Sequence, residues 1–363
     1  MSQPGTPPAA GDDPAGRPTP TEPTPAELAA MRRALALAAT PGVPRGPNPR
    51  VGCVVLDHAG ATIAEGYHQG AGSAHAEVAA LDVAGPTARG ATAVVTLEPC
   101  NHTGRTGPCV DALLAAGVRR VVLAQRDPNP VAAGGEARLV AAGVEVVAGV
   151  LAVEAAAINE AWTFAVQRGR PMVTWKVAST LDGRVAAADG SSRWVTGEEA
   201  RAQVHQMRSE VDAVLVGTGT ALADDPSLTV RDPHGTPAGR QPMRVVMGRR
   251  EIPLSAALRD GLAPLRTFST QSPSEVLSAL LVDDVQHVLL EGGPTLAAAF
   301  LRDGLVDRVI WYLAPKILGA GAPAVADLGI VGIDSALQLE VTGIIRVGQD
   351  VRVDGRMVAT HPA

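Results

Sequence analysis

The sequence predicts an α/β protein of two domains, and three observations carry that prediction. The chain has 363 residues, about twice the usual length of a single domain, so two domains of ordinary size are expected. Apolar runs of strand length alternate with helical segments in both halves, the pattern of a three-layer α/β sheet. Gly169-Arg170-Pro171 then punctuates the alternation before it restarts at Met172, which divides residues 24–168 from 169–363.

The elements follow in order. Residues 1–23 hold many Pro, Gly, Thr and Asp and almost no large apolar side chain, which predicts a disordered tail. Order is expected from Thr24-Pro25-Ala26-Glu27: Thr24 caps, Pro25 suits the first helical position, and Glu27 closes a capping box. This helix runs to about Thr40. Strands are expected at 51–56 and 62–67, a helix at 75–83, a strand at 93–97, a helix at 108–116, a strand at 119–124, a helix at 136–142 and a strand at 144–147. A single connecting helix is expected at 154–166. The second half offers a strand at 172–178, a helix at 198–209, strands at 213–217, 244–247 and 287–290, a helix from Pro294, and strands near 308–313 and 343–347. The halves share neither motif order nor spacing, so no repeat is present.

Composition excludes several classes. Apolar residues make up 46% against only three Phe, four Trp and two Tyr, so the cores are aliphatic. The net charge of −6 argues against a nucleic-acid partner held by a broad cationic surface. Three cysteines cannot form a disulfide framework and suit a reducing compartment, so a cytoplasmic protein is expected. No leader pattern and no membrane-length apolar run is evident, so no membrane partner is expected.

Four residues suggest chemistry. His75-Ala76-Glu77 opens a helix, Glu98-Pro99-Cys100 ends a strand, and Cys109 starts another helix. Imidazole and two thiolates supply three tetrahedral zinc ligands, leaving the fourth position for water as in catalytic sites. The helix dipole is expected to hold Cys109 as thiolate. Glu77, two residues from His75, is placed to take a proton from water and deliver it to a leaving amine. His-x-Glu with Pro-Cys-x-x-Cys is the signature of zinc deaminases; here eight residues separate the cysteines instead of two. Cys53 reads as a buried strand residue. Arg105, in the polar loop between the cysteines, suits either a phosphate or solvent, and Asn48 either orients a base or forms a turn.

No G-x-G-x-x-G run lies between a strand and a helix, so a Rossmann dinucleotide site is not supported. Gly292-Gly293-Pro294-Thr295 instead joins an apolar strand to a helix whose first N–H groups suit a cofactor phosphate; an ordinary turn is the alternative. Gly217-Thr218-Gly219-Thr220 offers a second close approach. Arg249, after the strand ending at Met247, is the candidate for a 2′-phosphate, and a solvated turn arginine is again the alternative.

With these motifs the chain resembles the bifunctional riboflavin-biosynthesis deaminase/reductase family. The likeness rests on Pro47 to Gly52, Gly66-Tyr67-His68, His75 to Glu77 and Thr96 to Cys109, and then on Lys176, Leu181 to Arg184, Ser192 to Thr196, Leu222 to Arg231 and Glu291 to Leu296. Gly107 and Thr180 depart mildly from the family pattern. The resemblance implies an N-terminal cytidine-deaminase-like αβα domain with Zn²⁺ and a C-terminal dihydrofolate-reductase-like α/β domain with NADPH. The first would deaminate 2,5-diamino-6-ribosylamino-4(3H)-pyrimidinone 5′-phosphate; the second would reduce its ribosyl group to ribityl. It further implies cofactor contacts from Ala178, Trp194, Thr196, Thr220, Asp224, Arg249, Gly293, Pro294, Thr295 and Leu296. Substrate contacts would come from Asn48, His68, His102, Arg105, Lys176, Ser192, Arg208, Leu228, Arg231 and Glu291. A homo-oligomer, dimer or higher, is expected. The other readings are a nucleoside or tRNA deaminase with an inert second domain, and a metal-stabilised binding module.

Overall fold

The computed structural model describes residues 22–43, 46–103, 107–232, 235–237 and 239–358. Residues 1–21 of the expected disordered tail and Arg105 lie outside them. The chain forms two compact units, one from the described residues of 1–38, 51–68 and 74–155, the other from those of 39–50, 69–73 and 156–363. The division falls ahead of the break at 168/169 read from the sequence.

The first unit begins with helix α1 (Pro25–Ala38) and holds strands β1 (Gly52–Leu56) and β2 (Thr62–Tyr67), helix α2 (Ala76–Ala84), β3 (Thr92–Leu97), α3 (Cys109–Ala116), β4 (Arg120–Gln125), α4 (Gly135–Ala141) and β5 (Glu145–Ala148). Its sheet runs β2-β1-β3-β4-β5. Strand β1 is antiparallel to both neighbours, and β3, β4 and β5 are parallel. Val54, Leu56, Val94 and Val122 pack with Met31 and Ala34 of α1, while α2 and α3 pack together and α2 lies against β1 and β2. The capping box is formed: the Thr24 N–H donates to Glu27 Oε2 at 2.8 Å and the Glu27 N–H to Thr24 Oγ1 at 3.2 Å.

Glu27 does a second job. Its carboxylate accepts from Arg120 Nε of β4 at 2.6 Å, with both side chains 6% exposed. Burial pushes the Glu27 carboxyl upward, but the Arg120 hydrogen bond and charge, with the Thr24 backbone, hold it below its ordinary value.

Two helices, α5 (Ala152–Ile158) and α6 (Glu160–Arg168), replace the single connecting helix expected from the sequence. Asn159 breaks it because its buried amide turns away from the helix, accepting from the Arg50 N–H at 2.8 Å and donating to the Arg50 carbonyl at 2.9 Å.

The second unit continues with β6 (Met172–Thr180), β7 (Arg184–Ala186), α7 (Glu198–Ser209), β8 (Ala213–Gly217), α8 (Thr218–Asp224), β9 (Met243–Met247), β10 (Leu265–Phe268), α9 (Pro273–Val282), β11 (His287–Leu290), α10 (Pro294–Arg302), β12 (Arg308–Ala314), β13 (Ala322–Pro323), β14 (Leu339–Val347) and β15 (Asp350–Met357). An eight-stranded sheet runs β10-β9-β8-β11-β6-β12-β15-β14. Strands β10 to β12 in that order are parallel; β15 and β14 extend the sheet antiparallel. Alternate residues of β8 serve two cores: Ala213 and Leu215 join Phe300 and Leu277, whereas Val214 and Val216 join Leu258 and Ile252. The sheet is therefore covered on both faces, as parallel sheets must be. Among the described residues no helix is long and apolar enough to cross a membrane.

Replacing Arg120 by Ala should leave the Glu27 carboxylate buried without its cation and cost about 3–5 kcal/mol. The shift in the denaturant midpoint of the first unit measures it. A loss under about 1 kcal/mol would show that the pair contributes only as an exposed salt bridge does.

Candidate active sites

The first site forms where β3 ends and two helices begin. His75 precedes α2 in extended conformation, and the first turn of that helix carries Glu77. Cys100 lies three residues beyond β3 and Cys109 is the first residue of α3. His75 Nδ1 lies 3.2 Å from Cys109 Sγ and 3.6 Å from Cys100 Sγ, and one ligand atom from each of the three falls within 4.8 Å of the others. A tetrahedral zinc ion with ordinary Zn–N and Zn–S bonds separates such atoms by about 3.5 Å. The donor set and its spacing fit zinc, and no other trio of His, Cys, Asp or Glu among the described residues does so.

The start of α3 acts on Cys100 as well as on Cys109. The hydrogen bond from Cys109, with those of His75 and the Cys109 backbone, pulls the Cys100 thiol down to about 4 against burial. Cys109 is pushed up, chiefly because it donates to Cys100 and is itself buried. The first N–H of α3 points at Cys100 Sγ, 3.3 Å away, so the helix start also stabilises the thiolate of Cys100. With zinc bound, both sulfurs serve as thiolate ligands.

Glu77 is 4% exposed. Burial, with the charge of Cys100, pushes its carboxyl up to about 7, against the lowering effects of its own backbone hydrogen bond and His75. Cys53 lies buried in β1, as expected. His68 is buried, meets the His75 ring edge-on at 5.5 Å between centroids, and bonds the Ala74 carbonyl through Nδ1 at 3.0 Å. A carbonyl only accepts, so Nδ1 carries the proton and Nε2 is left as the acceptor. His102 Nδ1 is buried without a partner among the described residues. Asn48 groups with the second unit. The sequence reading missed Asp127, whose carboxyl burial drives up to about 6 with Glu98 and Cys100 nearby; its place after β4 was the available signal.

The second site is a cavity of about 910 Å³ in the second unit. It opens at the carboxyl ends of β8, β9, β10 and β11, where ligands of parallel sheets bind. It gathers Lys176, Ala178, Ser192, Thr220, Asp224, Arg249, Glu291 and Gly293 to Leu296 from the sequence candidates, and adds Arg250, Gln271 and Arg302. The two glycines after β11 differ in purpose. A Cβ on Gly292 would meet Leu296 Cδ2 at 2.3 Å, whereas one on Gly293 would meet only Thr220 Oγ1 at 3.7 Å. Packing requires the first; the second leaves open the cavity wall at the start of α10. Arg249 and Arg250 are exposed and form no ion pair among the described residues. A roomy cavity, a helix start and two uncommitted guanidinium groups suit a phosphorylated dinucleotide.

Trp194, Thr196, Arg208, Leu228 and Arg231 do not line the cavity. The Trp194 ring is exposed under the Arg201 guanidinium at 4.6 Å, and the Thr196 carbonyl accepts from Arg201. Leu228 is buried with φ +50. Arg231 bonds Thr229 Oγ1 and Ser227 Oγ. Arg208, expected from the sequence as a phosphate ligand, pairs with Glu291: Nε donates to Glu291 Oε1 at 2.7 Å and Nη2 to Oε2 at 2.9 Å. Burial raises the Glu291 carboxyl, but Arg208, and more weakly Lys176 and His205, bring it below its ordinary value. Burial lowers Lys176 against the charge of Glu291.

Comparison with known proteins agrees with both sites. Residues 25–125 match the cytidine and deoxycytidylate deaminase zinc-binding region, and residues 171–353 match the RibD C-terminal domain. Riboflavin biosynthesis protein RibD of Mycobacterium tuberculosis is 50% identical over 307 residues, spanning 84% of this chain and 90% of that protein. The chain belongs to the RibD family. RibD of Escherichia coli is 40% identical over 355 residues, spanning 88% and 96% of the two chains. Acinetobacter baumannii RibD superposes with a TM-score of 0.83 at 39% identity, over 92% of this chain and 99% of that one. A Thermotoga maritima deaminase/reductase gives 0.82 at 34% identity over the same shares. The fold is that of the family, a cytidine-deaminase-like unit followed by a reductase unit. The protein is a bifunctional deaminase and reductase, with zinc at His75, Cys100 and Cys109 and NAD(P)H for the reductase.

The Arg208–Glu291 pair yields a pH prediction. In Arg208→Ala, burial acts on Glu291 with only Lys176 and His205 opposing it, so its carboxyl titrates at higher pH. The acid limb of the pH profile for NADPH-linked reduction should move to higher pH than in the wild type. A profile with an unmoved acid limb would show that ionised Glu291 is not required.

Proposed function

We propose that the first unit removes the 2-amino group of 2,5-diamino-6-ribosylamino-4(3H)-pyrimidinone 5′-phosphate by hydrolysis and that the second reduces the ribosyl group of the product to ribityl with NADPH. One observation carries this reading: a three-ligand zinc site with a buried, non-ligating Glu77 occurs in the same chain as a dinucleotide-sized cavity, which an inert second domain would not need. The Thermotoga maritima relative is described as a diaminohydroxyphosphoribosylaminopyrimidine deaminase and 5-amino-6-(5-phosphoribosylamino)uracil reductase. Working boundaries are 24–168 and 169–363, and the enzyme acts in the cytoplasm as a homo-oligomer.

Zinc, when bound, supplies a Lewis acid that makes water nucleophilic near neutral pH. Glu77 takes a proton from the attacking water on its carboxylate and returns it to the departing amine. A carboxyl that burial brings near neutrality suits both halves of that transfer. His68 and His102, with Arg105, hold the base and its ribotide. NADPH supplies the hydride in the second unit. Ala178, Thr220, Asp224 and Gly293 to Leu296 hold the cofactor, with Trp194 and Thr196 at its flank and Arg249 on the 2′-phosphate. Lys176, Ser192 and Glu291 face the ribosyl chain, and Arg231 with the Leu228 backbone holds the substrate phosphate. Arg208 keeps Glu291 ionised and aimed.

Incubation with the diaminopyrimidine ribotide, with and without NADPH, separates the two steps. Glu77→Gln should retain zinc and lose deamination by about 100- to 10,000-fold; metal content and turnover measured on one sample decide it, and retained turnover removes Glu77 from the chemistry.

Chelation should abolish deamination and spare reduction of the deaminated intermediate supplied directly. Failure of the folded, metal-free enzyme to reduce it would show that the second activity depends on the metal.

Arg249→Ala should raise the KM for NADPH by about ten- to hundredfold, the loss of a charge-assisted contact of about 1.5–3 kcal/mol, and leave that for NADH nearly unchanged. Equal effects on both cofactors would instead mean general damage to the cavity.

A further inference from the structure

We infer that Glu98 is a positioning residue of the zinc site, fixing Cys100 through the 126–135 segment without touching the metal. Its side chain is 6% exposed and forms no ion pair among the described residues. Instead it accepts three backbone N–H groups: Asp127 on Oε2 at 3.0 Å, and Gly134 and Glu136 on Oε1 at 3.1 and 3.0 Å. The last two open α4, whose cap residue Gly134 offers no side chain of its own. One carboxylate thus closes both ends of the connection from β4 to α4.

That connection is the floor under Cys100. The Asn101 N–H donates to the Ala132 carbonyl at 2.9 Å, and Ala132 packs with Cys100 and Cys109. Gly135 lies so close to the chain that a Cβ would fall 1.9 Å from the Pro99 carbonyl oxygen. From the other side, the Val110 N–H bonds the Cys100 carbonyl at 3.3 Å and the Cys109 N–H bonds its sulfur. Cys100 is therefore clamped between the start of α3 and a segment tied down by Glu98.

A carboxylate is the group this geometry requires. All three neighbours donate, and only an acceptor-only side chain with two oxygens satisfies them. Glutamine keeps one acceptor and turns an NH₂ toward an N–H donor, so the 126–135 segment must shift. Outer partners that orient ligands in this way typically change metal affinity about 10- to 100-fold when altered.

The test compares full-length wild type and Glu98→Gln by zinc release to an excess chromophoric chelator and by the visible spectrum of the Co²⁺-substituted protein. Circular dichroism and reduction of the deaminated intermediate report folding. The expected result is zinc release about tenfold faster or more, with altered thiolate-to-cobalt and d–d bands. A purely stabilising role would lower the unfolding midpoint and leave those bands unmoved. Zinc release and cobalt bands equal to wild type in folded Glu98→Gln would overturn the inference, whatever happens to turnover. Should Glu98→Gln fail to fold, Glu98→Asp, which keeps both acceptor oxygens on a shorter stem, is read by the same measurements and outcomes. The inference rests on the zinc assignment; wild-type protein that holds no zinc would overturn that assignment first.

Discussion

The close seat of helix α2 on strand β2 is the constraint on which the first site depends. At Gly66 a single added Cβ would lie 2.5 Å from both the Ala76 carbonyl oxygen and the Ala80 nitrogen, so the helix backbone rests directly on the strand. Any side chain there lifts α2, and with it His75 and Glu77, which its first turn carries. Gly52 does the same for α1, where a Cβ would fall 2.0 Å from the Ala34 carbonyl oxygen. A ligand set whose atoms must meet within a few tenths of an ångström cannot be built on elements free to move by more. Backbone contact removes that freedom more completely than side-chain packing does, because it leaves no rotamer to adjust.

Much of this was legible in the sequence, and the reasons differ by element. The helix at Glu198–Ser209 and the strands at Thr62–Tyr67, Ala213–Gly217 and His287–Leu290 have the expected bounds, the first two from their periodic patterns and the last two from short apolar runs buried on both faces. Strand β15 escaped notice because it reads Asp-Val-Arg-Val-Asp-Gly-Arg-Met, with Asp350 fully buried; propensity alone argues against such a strand. Helix α9 did carry a signal, Ser272-Pro273 followed by Glu275, and the Ser272 hydroxyl accepts from the Glu275 N–H. The break at Asn159 had none, since the partner that draws its amide inward is Arg50, 109 residues away.

The sites show the same division. The zinc ligands and Glu77 were legible because their chemistry is local: residue type and spacing specify three donors and an acid. What was not legible is how charge is shared. Sequence linked the start of α3 to Cys109 alone; the fold also turns its first N–H to the Cys100 sulfur. Sequence also gave Arg208 a phosphate, and the structure adds an ion pair with Glu291 that residue type alone did not announce. Residue type says what a group can do, but only geometry says which neighbour takes it up.

Arg208 shows why that distinction matters for the second activity. A buried carboxylate without a cation takes up a proton, and a protonated Glu291 would donate a hydrogen bond where an ionised one accepts. A guanidinium bonded to both carboxylate oxygens prevents this and also fixes the plane of the group, leaving few orientations in which it can meet a ligand. Lys176, on the adjoining strand and lowered by burial, sits beside an anion already neutralised by Arg208. The ammonium is therefore stabilised less than a lone Lys–Glu pair would allow.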